Sequence, residues 1–236
     1  MKMNHIQISS LEDIEAAAAL VGLPVGPRTG SNRRTKEKKE WYVALGFLKS
    51  TIPAQFFRLP IAIRNGRPPH EPDFIMTHKA SNNAVALIEI TEATDQADQR
   101  EMTAIELSDK PAILVGELGG RFYGGASRPG LVWASDIVDA IERKSGKAIF
   151  QDLATPRHLI VHPNSNASFL LFDSDDELSA IQNLRDEIAK NLDLLARIAN
   201  GCLVHILGKY NVCIDVMGDM KVVAAARVAA ANPVIQ

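Results

Sequence analysis

Glu71-Pro-Asp-Phe-Ile-Met-Thr-His78 and, five residues further on, Ala84-Val-Ala-Leu-Ile-Glu-Ile-Thr91 are the stretch on which the fold turns. Both runs are apolar and β-branched enough for strands, and Lys79-Ala-Ser-Asn-Asn83 between them supplies hairpin turn formers. Alternation along the second run puts Glu89 and Thr91 on one face of a strand, with Ile88 and Ile90 on the other. A carboxylate in the middle of Ala-Leu-Ile-Glu-Ile is costly to bury alone. A partner strand beginning at Asp73 brings a second carboxylate beside it. Two such groups repel unless a cation lies between them, and oxygen-only ligands suit Mg²⁺ or Mn²⁺.

Working outward, the chain alternates helical and extended signals. Ser10 to Leu20 reads as a helix, with Ser9 or Ser10 as N-cap and Glu12 and Asp13 in the first turn. Gly22, Pro24, Gly26, Pro27 and Gly30 break it. Trp41, Ala44, Leu45 and Leu48 recur at helical spacing within Asn32–Ser50, which Pro53 stops. An extended stretch from Phe56 to Ile63 follows. Gly116 to Gly130 is a glycine-rich loop without the spacing of a phosphate loop or a dinucleotide site. Ser135–Lys144 and Asp173–Asn200 read as helices, and His158–His162, Leu203–Leu207 and Val212–Met217 as strands. The order implies an α/β (α+β) chain with a central mixed β-sheet flanked by helices. Residues 1–30 read as an N-terminal helical arm, 31–165 as the core and 166–236 as a C-terminal helix and strands packed on the same domain.

Composition narrows the class. At 236 residues, 46% hydrophobic and 23% charged, the chain is long enough for a substantial core and too apolar for disorder. Cys202 and Cys213 lie eleven positions apart with no zinc-like spacing, so reduced core thiols are expected. No stretch is long and apolar enough for a membrane span, and no secretory leader opens the chain; a cytoplasmic location is expected. The six histidines are too scattered for a zinc site, and Trp41 and Trp133 read as core anchors. The net charge of −2 hides an asymmetry. Arg28 to Arg67 holds ten basic and two acidic residues, or +8, leaving −10 for the rest. A basic segment on an otherwise acidic chain suits a face that meets a polyanion.

The order helix, Pro72-Asp73 on one strand and Glu89-Ile90-Thr91 on the next, sixteen residues after Asp73, resembles the PD-(D/E)xK nuclease superfamily. The likeness covers roughly Thr35 to Leu107 and implies a restriction-endonuclease-like core. It implies Asp73 and Glu89 as metal ligands, with the Ile90 carbonyl as a further one, and Glu40 (or Glu37) as the helix carboxylate. Thr91 stands where the family has a lysine that orients the attacking water. Lys36, Lys39 and Arg100 are the substitutes the sequence offers for its charge. Arg33, Arg34, Lys38, Lys39, Gln96, Gln99 and Arg100 are the expected phosphate contacts.

The resemblance therefore implies a Mg²⁺- or Mn²⁺-dependent enzyme hydrolysing DNA phosphodiester bonds. The alternative is an inactive nuclease-like fold that binds nucleic acid or protein. DNA is the expected partner, and the acidic second half offers a surface for a homodimer.

Overall fold

The computed structural model describes residues 4–21, 35–53, 55, 57–67, 70–79, 81, 83–94, 100, 129–146, 155–163, 174–194, 202–207, 210–214 and 220–225. Its frame is one eight-stranded mixed sheet whose strands lie side by side in chain order. These are β1 (His5–Ile8), β2 (Ile61–Asn65), β3 (Phe74–His78), β4 (Ala84–Ala93), β5 (Arg157–Pro163), β6 (Cys202–Leu207), β7 (Tyr210–Ile214) and β8 (Met220–Ala225). The centre, β4-β5-β6, is parallel, and every other pairing is antiparallel.

Parallel neighbours need crossovers, and a helix lies within each. Helix α3 (Pro129–Ser145) lies between β4 and β5 in the chain, and α4 (Ser174–Lys190) between β5 and β6. Both cover one face. Trp133, Ile137 and Ile141 of α3 and Ile181, Leu184 and Ile188 of α4 bury Leu159, Val161, Val204 and Ile206. Helices α1 (Leu11–Val21) and α2 (Lys36–Thr51) cover the opposite face, where Trp41, Leu45 and Phe47 pack on Ile63, Phe74, Met76, Ile88 and Ile90. With both faces covered, the central strands read as almost unbroken apolar runs.

Helix boundaries follow local chemistry. Thr35 caps α2, its hydroxyl accepting from the Lys38 amide at 3.2 Å. At α1 the Asp13 carboxylate takes the Ser9 and Ser10 amides at 2.7 and 3.0 Å, while the Asp13 amide donates back to the Ser10 hydroxyl. Pro129 opens α3, so this helix starts six residues before Ser135, the expected cap, and takes in Gly130 from the glycine-rich stretch. Gly130 is there for contact: a Cβ would lie 3.2 Å from the Ala180 Cα of α4.

The N-terminal segment carries a strand that periodicity over four residues was too short to announce. β1 pairs antiparallel with β2, and Ile8, Ile14 and Ala17 are core residues. The extended segment after α2 becomes a strand at Ile61, and α4 runs to Lys190 with a turn at Asn191 and a further helical stretch at 192–194, while the expected end at Asn200 lies outside the described residues. Cys202 and Cys213 are free buried thiols, and burial pushes Cys202 up to about 12. No helix among the described residues is long and apolar enough to cross a membrane.

Candidate functional site

β3 and β4 pair antiparallel with Phe74 opposite Ile88, so Asp73 arrives beside Glu89 and Ile90. Asp73 spans the register: its Oδ2 accepts the Ile90 amide at 2.8 Å, and its own amide donates to Glu89 Oε2 at 3.4 Å. The approach to Asp73 is built by a tight turn. Glu71 receives both Arg64 guanidinium nitrogens, at 2.9 and 3.1 Å, and the Arg67 amide at 2.8 Å. The Gly66 amide donates to the Asp73 carbonyl, and a Cβ on Gly66 would stand 1.7 Å from the Pro72 oxygen. Only glycine fits that approach.

Glu89 is 3% exposed and points to the α3 face, as strand alternation requires. Its Oε1 accepts from Lys144 Nζ at 2.7 Å. Lys144 sits in the last turn of α3, 55 positions along the chain, with 18% of its side chain exposed. The adjacent Arg143 donates to the Glu92 carbonyl at 3.1 Å, so two consecutive side chains fasten the end of α3 to β4.

Glu40 reaches the same place from α2. Burial raises its pKa and the charge of Asp73 adds to the rise, while Lys36 and Lys144 oppose it. Burial also raises Asp73, followed by the charge of Glu89; the Ile90 amide, Lys144 and Lys36 pull the other way. Asp73 thus feels the charges of both Glu40 and Glu89, with Lys36 and Lys144 opposing them, at a mouth where α2 and α3 meet the Asp73 end of β3 beside β4. Glu40 is an α2 acid that feels Asp73; on the same helix Glu37 has a buried Oε1 with no hydrogen-bond partner among the described residues.

The other expected site residues are spread more widely. Thr91 is buried one strand step beyond Glu89. Lys36 pairs with Glu40 at 3.2 Å from an 83% exposed side chain, and Lys39 pairs with Glu92 at 3.6 Å. Lys38 and Arg100 are exposed. Arg33, Arg34, Gln96 and Gln99 lie outside the described residues. The basic segment is partly neutralised from within, since Lys49 pairs with Glu15 and Arg64 with Glu71. Among the described residues Lys38, Arg58 and Arg67 of that segment are exposed and enter no ion pair.

Sequence reasoning missed Lys144. A lysine closing a helix reads as a partner of the helix dipole, and no local spacing ties it to a strand 55 positions earlier. It also missed the pairing of His158 with His205, whose Nδ1 and Nε2 lie 3.1 Å apart in the core.

The donor set of the mouth is hard oxygen. Among the described residues no group of three or more His, Cys, Asp and Glu side chains is gathered as a metal site. No protein-family model matches the chain, and neither does any curated protein or solved structure.

Proposed function

We propose that this chain is a metal-dependent nuclease that hydrolyses DNA phosphodiester bonds, with Asp73 and Glu89 as its metal ligands and Lys144 in place of the lysine that Thr91 lacks. The observation that carries this reading is Lys144 Nζ at 2.7 Å from Glu89 Oε1, beside an Asp73 already held to Glu89 and Ile90. The carboxylate oxygens and the Ile90 carbonyl suit Mg²⁺ or Mn²⁺; burial first and the Glu89 charge second raise Asp73, and a cation there would offset both. Such an ion supplies Lewis acidity and a more acidic bound water.

In this reading the protein's own groups divide the work. Lys144 donates to a non-bridging phosphate oxygen or to the attacking water, and so offsets charge gathered at phosphorus. Glu40, whose proton affinity is raised by burial, takes the proton the water loses. The new phosphorus–oxygen bond forms to the water oxygen as the bond to the deoxyribose oxygen breaks, and that oxygen leaves with a proton from solvent. Lys38 and Arg67 are the exposed cations placed to meet flanking phosphates.

A second reading is an inactive nuclease-like module that binds nucleic acid or a protein. It is favoured by the Lys144–Glu89 pair itself, which neutralises the buried carboxylate without any metal, and by the fact that no three-acid group is gathered among the described residues.

Supercoiled plasmid incubated with Mg²⁺ or with EDTA separates the two. Nicking that needs the metal and disappears in Asp73→Ala, Glu89→Ala and Lys144→Met supports the enzyme. DNA retention without cleavage, unchanged by metal, supports the module and ends the enzyme reading. Lys144→Arg sharpens the assignment, because it keeps the charge and should restore part of the nicking that Lys144→Met loses.

A further inference from the structure

A second concavity lies on the α2 face, where His78 is about 17 Å along β3 from Asp73, the distance five strand residues cover. Its volume is about 330 Å³, at the lower end of small-molecule pockets. Phe57, Ile61, Val85 and Leu203 give it an apolar wall. Among the described residues its polar groups are Arg58, His78 and His158, and no carboxylate lines it. Arg58 is exposed and enters no ion pair among the described residues.

His158 forms a fixed part of the wall. Its ring is 4% exposed, held edge to face by Phe57 at 5.3 Å and packed by Phe47 at 5.5 Å. Nδ1 is committed to His205 Nε2 at 3.1 Å, which leaves Nε2 as its remaining polar atom. One proton lies between the two rings. When His205 supplies it, the neutral His158 carries its own proton on Nε2 and becomes a donor. The loop that brings Phe57 and Arg58 here includes Gln55 at φ 60°, a left-handed conformation that a non-glycine residue keeps only where its surroundings impose it.

We infer that this pocket binds a small flat apolar acid, its ring system against Phe57 and Leu203 and its carboxylate at Arg58. The apolar wall takes the body, and the exposed Arg58 guanidinium selects an anionic head over a neutral one. The donor form of His158 adds a second contact for the carboxylate. The site is separate from the Asp73–Glu89 mouth, so it stands or falls independently of the nuclease reading.

Calorimetric titration of the full chain with 2-naphthoate, and with the neutral analogue 2-naphthalenemethanol, tests it. The acid should bind one to one, and the alcohol about tenfold or more weaker. Arg58→Ala, at an exposed position, should weaken the acid by about tenfold and leave the alcohol within about twofold. Leu203→Trp should fill the pocket and abolish both. No binding of 2-naphthoate at millimolar concentration, or equal binding to the Arg58→Ala variant, overturns the inference.

Discussion

Two polar clusters sit near the middle of the sheet, one at β3 and β4 and one at β5 and β6, and they solve the burial of charge in opposite ways. At the mouth between α2 and α3, Glu89 stays beside an ammonium, and Glu40 and Asp73 are held near Lys36 and Lys144. On the other face, His158 and His205 sit under Phe47 with their rings 5.2 Å apart, and burial pushes His158 down to about 3. One cluster keeps its charges by pairing them; the other gives its charge up. The difference follows from what lies beside each group and not from its own exposure, since Glu89 is 3% and His158 4% exposed. An ammonium held against a buried carboxylate offsets the cost of its charge, whereas among aromatic rings the uncharged imidazole is the cheaper form.

The comparison breaks most easily at Lys144. Removing one partner of a buried pair leaves the other uncompensated, so Lys144→Met should cost about 3–5 kcal/mol in urea unfolding with EDTA present. The double variant Lys144→Met/Glu89→Gln should recover most of that loss, because no charge is then stranded. If single and double variants unfold at the same urea concentration, Glu89 does not depend on Lys144.

The second effect is a response to acid that runs in opposite directions in the two clusters. The folded pKa of His158 lies below its ordinary value of 6.5, so its share of stability is complete above pH 6.5 and is lost as pH falls toward 3. Between pH 6.5 and about pH 4.5 that loss is about 2–3 kcal/mol. Glu40 and Asp73 have raised folded pKa values. Their favourable share is present below the ordinary carboxylate range and is lost as pH rises, so acid relieves them while it strains the histidines. Thermal melts of the parent and of His158→Leu/His205→Leu across this range separate the two terms. The variant should lose the acid-sensitive slope; a slope equal to the parent's would show that His158 is not buried neutral.

Much of this was legible before any coordinates, and the missing parts share a cause. Asp73, Glu89 and Glu40 are readable because alternation on a hairpin and spacing on one helix are local rules; the structure sets Asp73 beside Glu89, and Glu40 within reach of the charge on Asp73. Strands β4, β5 and β6 showed themselves as apolar runs. Lys144 and the His158–His205 pair were not readable. Each depends on which segment lies over which, fixed by the crossovers through α3 and α4 and by the β5–β6 register, where His158 pairs with Leu203 and Ile160 with His205. β1 escaped because a four-residue edge strand has too few alternations to register.

Position, as distinct from charge, is tested by Gly66. Its Cβ would collide with the Pro72 backbone, so Gly66→Ala must move the turn that delivers Asp73. A loss of about 2 kcal/mol is expected from such backbone conflict. In the nuclease reading, metal-dependent nicking should fall by more than this destabilisation accounts for, measured where the variant is still fully folded. Stability lost with nicking per folded molecule retained would mean that the turn serves folding alone.

The smallest effect is the most informative, because it has the sign of a gain. Asp73 is half-buried, and its carboxylate is held in its charged form at a cost, from burial first and from Glu89 second. Asp73→Asn keeps the shape, removes that charge and so should stabilise the chain at pH 7 by about 0.5–1.5 kcal/mol, although its amide group no longer matches the Ile90 amide as well. The gain should shrink as pH falls through the carboxylate range, where the parent's own Asp73 becomes protonated. A residue that makes the protein less stable at working pH is what a functional site leads one to expect, since selection for chemistry there competes with selection for stability. If Asp73→Asn instead destabilises the chain at pH 7 and the loss persists in acid, its bond to the Ile90 amide is structural. The mouth would then be an ordinary charged rim, no different in kind from the buried histidine pair.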